Sequence, residues 1–132
     1  MKKLYNASFT YLIIGLLSGI FAREYGKYKG ILGSTLLNLL HTHTLVLGFF
    51  FFLIALGLAK VFAFHEVKGF NNWFILHNIA LTLMLGSLAA RGLLQLNGAE
   101  FKGLTYIVGF SHSMMAFTLV WFMILLKKSS KI

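Results

Sequence analysis

The stretch LLNLLHTHTLVLGFFFFLIALGLAKVFAF, from Leu36 to Phe64, contains a single lysine, Lys60, and no other charged residue. Its apolar residues run on without the alternation of a half-buried strand. It also exceeds the about 20 residues that cross a hydrocarbon layer of roughly 30 Å at about 1.5 Å per residue. In hydrocarbon each backbone amide must find a partner within the protein, so a spanning segment is a helix or a strand of a closed barrel. Barrel strands alternate in polarity and this stretch does not, so it reads as a transmembrane helix.

Three further apolar stretches lie outward from it, at about 4–22, 73–96 and 104–126. They are separated by Arg23-Glu24-Tyr25-Gly26-Lys27, His65-Glu66-Val67-Lys68-Gly69 and Asn97-Gly98-Ala99-Glu100-Phe101-Lys102. These breaks read as short polar turns with no room for a domain outside the bilayer. The expected fold is all-α: one integral membrane bundle of four transmembrane helices, covering residues 1–132. With 58% of residues hydrophobic, 11% charged and a mean hydropathy of +0.82, a soluble core of this size is excluded. The opening Met1-Lys2-Lys3 and the apolar run to Ala22 share features with a secretion signal; a retained first helix is the reading taken.

The basic residues divide by side. Lys2, Lys3, Lys60, Lys68, Lys127, Lys128 and Lys131 fall on one face of the membrane, and Arg23, Lys27, Lys29, Arg91 and Lys102 on the other. The bias places both termini in the cytoplasm of a bacterial plasma membrane. A net charge of +9 then suits anionic lipid headgroups, and the absence of a basic cluster interleaved with exposed aromatics speaks against nucleic-acid binding.

The chain has no cysteine, which removes disulfides, iron–sulfur clusters and thiolate metal sites. It has no proline either, so straight helices around a fixed site are expected. Glu24, Glu66 and Glu100 all fall in the turns, leaving no acid at the midplane for an ion-coupled carrier or channel.

Ionisable residues inside a membrane are costly and so are functional candidates. His41, His43, His77 and His112 all lie within the expected spans. His41 and His43 are two apart on a helix and point about 200° from one another, so they cannot ligate one ion together. The His41 face carries Asn38, Thr44 and Gly48 and is assigned to the bundle interior; His43 is left to a subunit contact or an axial role. His112, on helix 4, is placed at a depth similar to His41, whereas His77 is expected near the inner end of helix 3 as a hydrogen bond to a neighbouring helix.

Two histidines on different helices, with Gly48 and Gly109 leaving space for a flat macrocycle, are what a bis-histidine haem b site in a bundle requires. The expected ligands to iron are His41 and His112, with Arg23 and Arg91 near the outer surface to meet the propionates. Two imidazoles fill both axial positions, which favours electron transfer or haem handling over catalysis.

The segment from Leu40 to Phe49, Leu-His-Thr-His-Thr-Leu-Val-Leu-Gly-Phe, resembles the second helix of haem-copper oxidase and nitric oxide reductase catalytic subunits. That resemblance implies a low-spin haem b ligand at His41. Over its whole length the chain resembles a bacterial family of small four-helix membrane proteins of unknown function. The resemblance rests on Arg23-Glu24, Leu40 to His43, Arg91-Gly92 and His112, and it implies the fold but no activity.

Two other classes compete with haem. Copper binding would use His41, His43, His112, Met114 and Met115 as imidazole and thioether donors. A structural subunit of a larger complex would use Gly15, Ser18 and Gly19 for close helix approach. Lipids are the expected partners; the redox partner stays open, and outward histidines are compatible with a homo-oligomer.

Overall fold

The computed structural model describes residues 1–31 and 35–129; Lys131, counted among the basic residues above, lies outside them. Four helices, each of 27 residues, make up the fold: α1 (Lys2–Tyr28), α2 (Leu36–Phe62), α3 (Phe70–Leu96) and α4 (Gly103–Ser129). Each is long and apolar enough to cross a membrane. Such a helix is about 40 Å long, so each end projects beyond the hydrocarbon.

The helices therefore run further than the apolar stretches. Arg23, Glu24 and Lys27 belong to the last turns of α1 rather than to a loop, and Glu24 pairs there with Lys27 at 3.2 Å and Arg23 at 3.9 Å. Hydropathy marks the buried length of a helix, while the end is set by backbone geometry. After α3, Gly98 takes a φ of 67° and the Ala99 N–H turns back to the Leu94 carbonyl at 2.9 Å, a left-handed stop that glycine adopts without strain.

The chain runs up, down, up and down, so α1 and α3 are parallel and both described chain ends lie at one end of the bundle, the terminal end. A constant register between α1 and α3 shows it: Lys3 Nζ donates to Asn71 Oδ1 at 2.8 Å, the Tyr11 hydroxyl to Asn78 Oδ1 at 2.9 Å, and Lys29 Nζ to Asn97 Oδ1 at 2.8 Å. α2 lies against α1 along its length, and α4 against α3.

Aromatic packing holds the terminal end. Phe122 of α4 stands 5.1 Å from Phe51, 5.3 Å from Phe64 and 5.3 Å from Trp73. Trp73 is fully buried, and its indole N–H donates to the Thr118 carbonyl at 2.8 Å. Around this core the outward faces stay apolar, with Leu17, Ile20, Ile54, Val120 and Met123 exposed, as a lipid-facing surface requires.

Although the chain has no proline, α2 is not a regular α-helix throughout. Residues Thr44–Phe50 form a π-helical stretch that begins one residue past His43. Such stretches leave carbonyls out of register and cluster at functional sites. Here the Ser8 hydroxyl of α1 takes up the Phe49 carbonyl at 3.1 Å, and the Thr44 hydroxyl donates to the Leu40 carbonyl at 2.7 Å.

Candidate histidine site

At the end opposite the termini, the starts of α2 and α4 and the end of α3 surround a cavity of about 470 Å³. Leu36 stands on the α2 wall, Leu104 and Thr105 on the α4 wall, and Arg91, Leu94 and Gln95 on α3 between them. Gln95 fixes the α2 wall, because its Oε1 accepts the Leu36 backbone N–H at 3.1 Å and so satisfies one of the free amides that open every helix.

His43 lies seven positions beyond Leu36, within the regular part of α2, and His112 lies seven beyond Thr105 on α4. Seven residues are close to two helical turns, so each histidine sits on the face that walls the cavity, about 10 Å deeper. The two helices run in the same direction, so both histidines lie below the cavity at a similar distance from it.

Each of these imidazoles is oriented by its own helix. His43 Nδ1 lies 2.9 Å from the Leu39 carbonyl and His112 Nδ1 lies 2.8 Å from the Val108 carbonyl. A carbonyl can only accept, so Nδ1 is the donor in both and the neutral ring keeps its lone pair on Nε2. His43 is half-buried and His112 exposed, so each can offer Nε2 away from its own helix. Metal-ligating histidines are commonly held in this way, with the second nitrogen donating to a carbonyl.

His41 is placed differently. It is half-buried against α1, where a Cβ at Gly19 would stand 3.3 Å from its Cγ. Its ring lies against α1, whereas His112 is exposed on α4. Gly48 leaves no space for a macrocycle, because a Cβ there would meet the Tyr11 ring at 2.5 Å. Gly109 does open space, with nothing within 4 Å, one turn from His112. Arg91 lines the cavity, whereas Arg23 projects from the end of α1 toward Glu24 with its side chain 75% exposed.

His77 is fully buried among Phe51, Phe52 and Trp73, stacked on the Phe51 ring at 4.7 Å, and its Nδ1 pairs with the Thr118 hydroxyl of α4 at 3.0 Å. Its Nε2 has no hydrogen-bond partner. Met115 is buried with its sulfur 3.7 Å from the same hydroxyl, turned into the core. Among the described residues, no three or more of His, Asp or Glu come together as a metal-binding group.

Tyr11 and Asn78 were not singled out by the sequence, yet they join α1 to α3. Each was visible as a polar residue inside an apolar span; their pairing, 67 positions apart, was not.

A family model described as a protein of unknown function, DUF2871, matches residues 1–129. The chain belongs to the DUF2871 family. That match covers all four helices and the histidine site, and the family's description assigns no activity to either. No curated protein and no solved structure matches the chain.

Proposed function

We propose that this protein is a multi-pass protein of the bacterial plasma membrane that binds haem b and carries electrons or handles haem. The observation that carries the reading is the matched pair His43 and His112. Both are anchored through Nδ1 to their own helix, both leave Nε2 free, and each lies two turns below a wall of one cavity. An imidazole left facing lipid is costly, and ligation of haem iron would give such a ring a partner.

In this reading His43 supplies the ligand from α2, where the sequence alone favoured His41, and His112 supplies the other. Gly109 leaves room for the macrocycle beside His112, and Arg91 meets a propionate at the cavity. Bound haem supplies one-electron chemistry at iron. The protein's own part is to hold both rings neutral and aimed, and to place a cation where the carboxylates emerge. Held by these two imidazoles, haem would supply electron-carrying chemistry rather than a site for a substrate.

The test is the visible spectrum of the detergent-purified protein, oxidised and dithionite-reduced, beside His41→Ala, His43→Ala and His112→Ala. A Soret band and a sharp reduced α-band are expected in the parent and in His41→Ala, and neither in the other two. A protein that stays colourless after haem is added rules the reading out.

A further inference from the structure

His77 takes no part in the haem reading, yet it is fully buried where α2, α3 and α4 meet. Its ring stacks on Phe51 of α2 at 4.7 Å, its Nδ1 lies 3.0 Å from the Thr118 hydroxyl of α4, and its Nε2 has no partner. A polar atom left unpaired in hydrocarbon is costly.

A second unmet group lies in the π stretch of α2. In an unbroken α-helix the Phe51 N–H would bond the carbonyl four residues back, at Leu47. It goes instead to the Val46 and Gly48 carbonyls. Where α-helical register returns, the Leu47 carbonyl is therefore left without its usual amide. That carbonyl faces the His77 imidazole, with no bond to Nε2 closed.

The available protons decide how the ring is held. The Thr118 hydroxyl has one proton and lies 2.9 Å from the Met115 carbonyl. With the imidazole proton on Nδ1, that hydroxyl accepts it, and Nε2 and the Leu47 carbonyl both stay unmet. With the proton on Nε2, the hydroxyl turns to Nδ1 and Nε2–H meets Leu47. The Met115 carbonyl lies within α4 and keeps its helical amide either way. In hydrocarbon the second arrangement is favoured, because it leaves nothing unpaired.

Leu47 lies one turn from His43 on the same side of α2. Each residue of slip in the π stretch turns the Leu36 end of the helix by about 100°, enough to carry His43 off the cavity side. From the two unmet groups we infer that His77 donates Nε2–H to the Leu47 carbonyl, holds the π stretch in register, and so is the positioning residue that aims His43. The aiming role rests on the haem reading; the bond does not.

The bond is tested without haem, on the full chain in detergent labelled with ¹⁵N-histidine, its imidazole resonances assigned by substituting each histidine in turn. His77 protonated on Nε2 is expected, and protonation on Nδ1 overturns the proposal. Variants give a second readout, since a glutamine amide reaches the place of Nε2 and an asparagine amide only that of Nδ1. His77→Gln should keep hydrogen exchange of amides 44–50 near the parent's. His77→Asn and His77→Phe should speed it about tenfold, the scale of one hydrogen bond. Gln and Asn variants that exchange alike overturn the bond.

With haem added, His77→Asn should bind it about tenfold more weakly than His77→Gln, with a shifted low-spin electron paramagnetic resonance signal, which reports the angle between axial rings. Equal affinity and equal signals in the two variants remove the aiming role and leave haem binding standing. A parent that takes up no haem removes the haem reading and the aiming role together, while the tautomer and the exchange rates still decide the bond.

Discussion

Gly92 of α3 lies directly against the backbone of Leu37 in α2: a Cβ at Gly92 would stand 2.8 Å from the Leu37 nitrogen and 3.0 Å from its Cα. The two helices therefore meet backbone to backbone at the level where the cavity begins, next to Arg91. Backbone cannot rotate aside as a side chain can.

Gly92→Ala is accordingly expected to lower stability by about 1–3 kcal/mol through overpacking, less up to about 1 kcal/mol gained in helix propensity. Gly15→Ala is the contrast, because its Cβ would meet only side-chain atoms, Leu45 Cδ2 at 2.6 Å and Cγ at 2.9 Å, which can shift where backbone cannot. Thermal unfolding in detergent should show a clear drop in Tm for Gly92→Ala and little change for Gly15→Ala. Equal losses would show that the α2–α3 contact yields as readily as a leucine.

Ser8→Ala removes the hydroxyl that satisfies the Phe49 carbonyl at 3.1 Å. The expected cost is modest, about 0.6 to 2 kcal/mol for a hydrogen bond between membrane helices. The sharper readout is hydrogen exchange. Amides of residues 44–50 should exchange faster than in the parent, while those of the Phe51–Phe62 half of α2 keep their protection. Unchanged exchange in residues 44–50 would show that the π stretch does not depend on α1.

Trp73→Phe deletes the indole N–H that reaches the Thr118 carbonyl at 2.8 Å in a fully buried position. The lost bond and the smaller ring together should cost roughly 2–3 kcal/mol, seen as a lower midpoint of unfolding in detergent. Trp121→Phe, on the half-buried side of α4, should cost much less.

Arg91→Gln keeps the fold, since the side chain is exposed at the cavity edge. On the haem reading it removes a cation of the cavity that would meet a propionate, and haem affinity should fall roughly tenfold, the scale of one charge-assisted hydrogen bond weakened by water. Arg23→Gln should leave affinity unchanged. Apo-protein titrated with haem and followed at the Soret band separates the two.

The four helices were readable from the sequence because hydrophobic length alone decides a span. The packing was not. In a soluble helix the core face announces itself as an apolar stripe, but here the lipid-facing residues Ile54 and Val120 are as apolar as the buried Phe52 and Leu125. For that reason the sequence could show that His41 and His43 diverge and that His43 shares the face of Leu36, without showing that His41 faces Gly19 or that Leu36 walls a cavity. The filling of the Gly48 notch by Tyr11 and the π stretch were equally hidden. The Tyr11–Gly48 contact and the Ser8–Phe49 bond that meets the π stretch both join α1 to α2, segments some 40 positions apart, and leave no local trace. Arg91 and Gly109 were legible as to place, since a cation near a span's end and a glycine one turn from a histidine are local facts.

The turns between the helices, Phe64 to Gly69 on one side and Asn97 to Lys102 on the other, are only a few residues long. These two described turns thus offer water little surface on which a soluble protein could settle. On the haem reading, a membrane partner that meets these helices sideways reaches them by diffusion within the plane of the bilayer. The frequency of such encounters depends on how many partners share each unit area of membrane, not on their concentration in the aqueous phases.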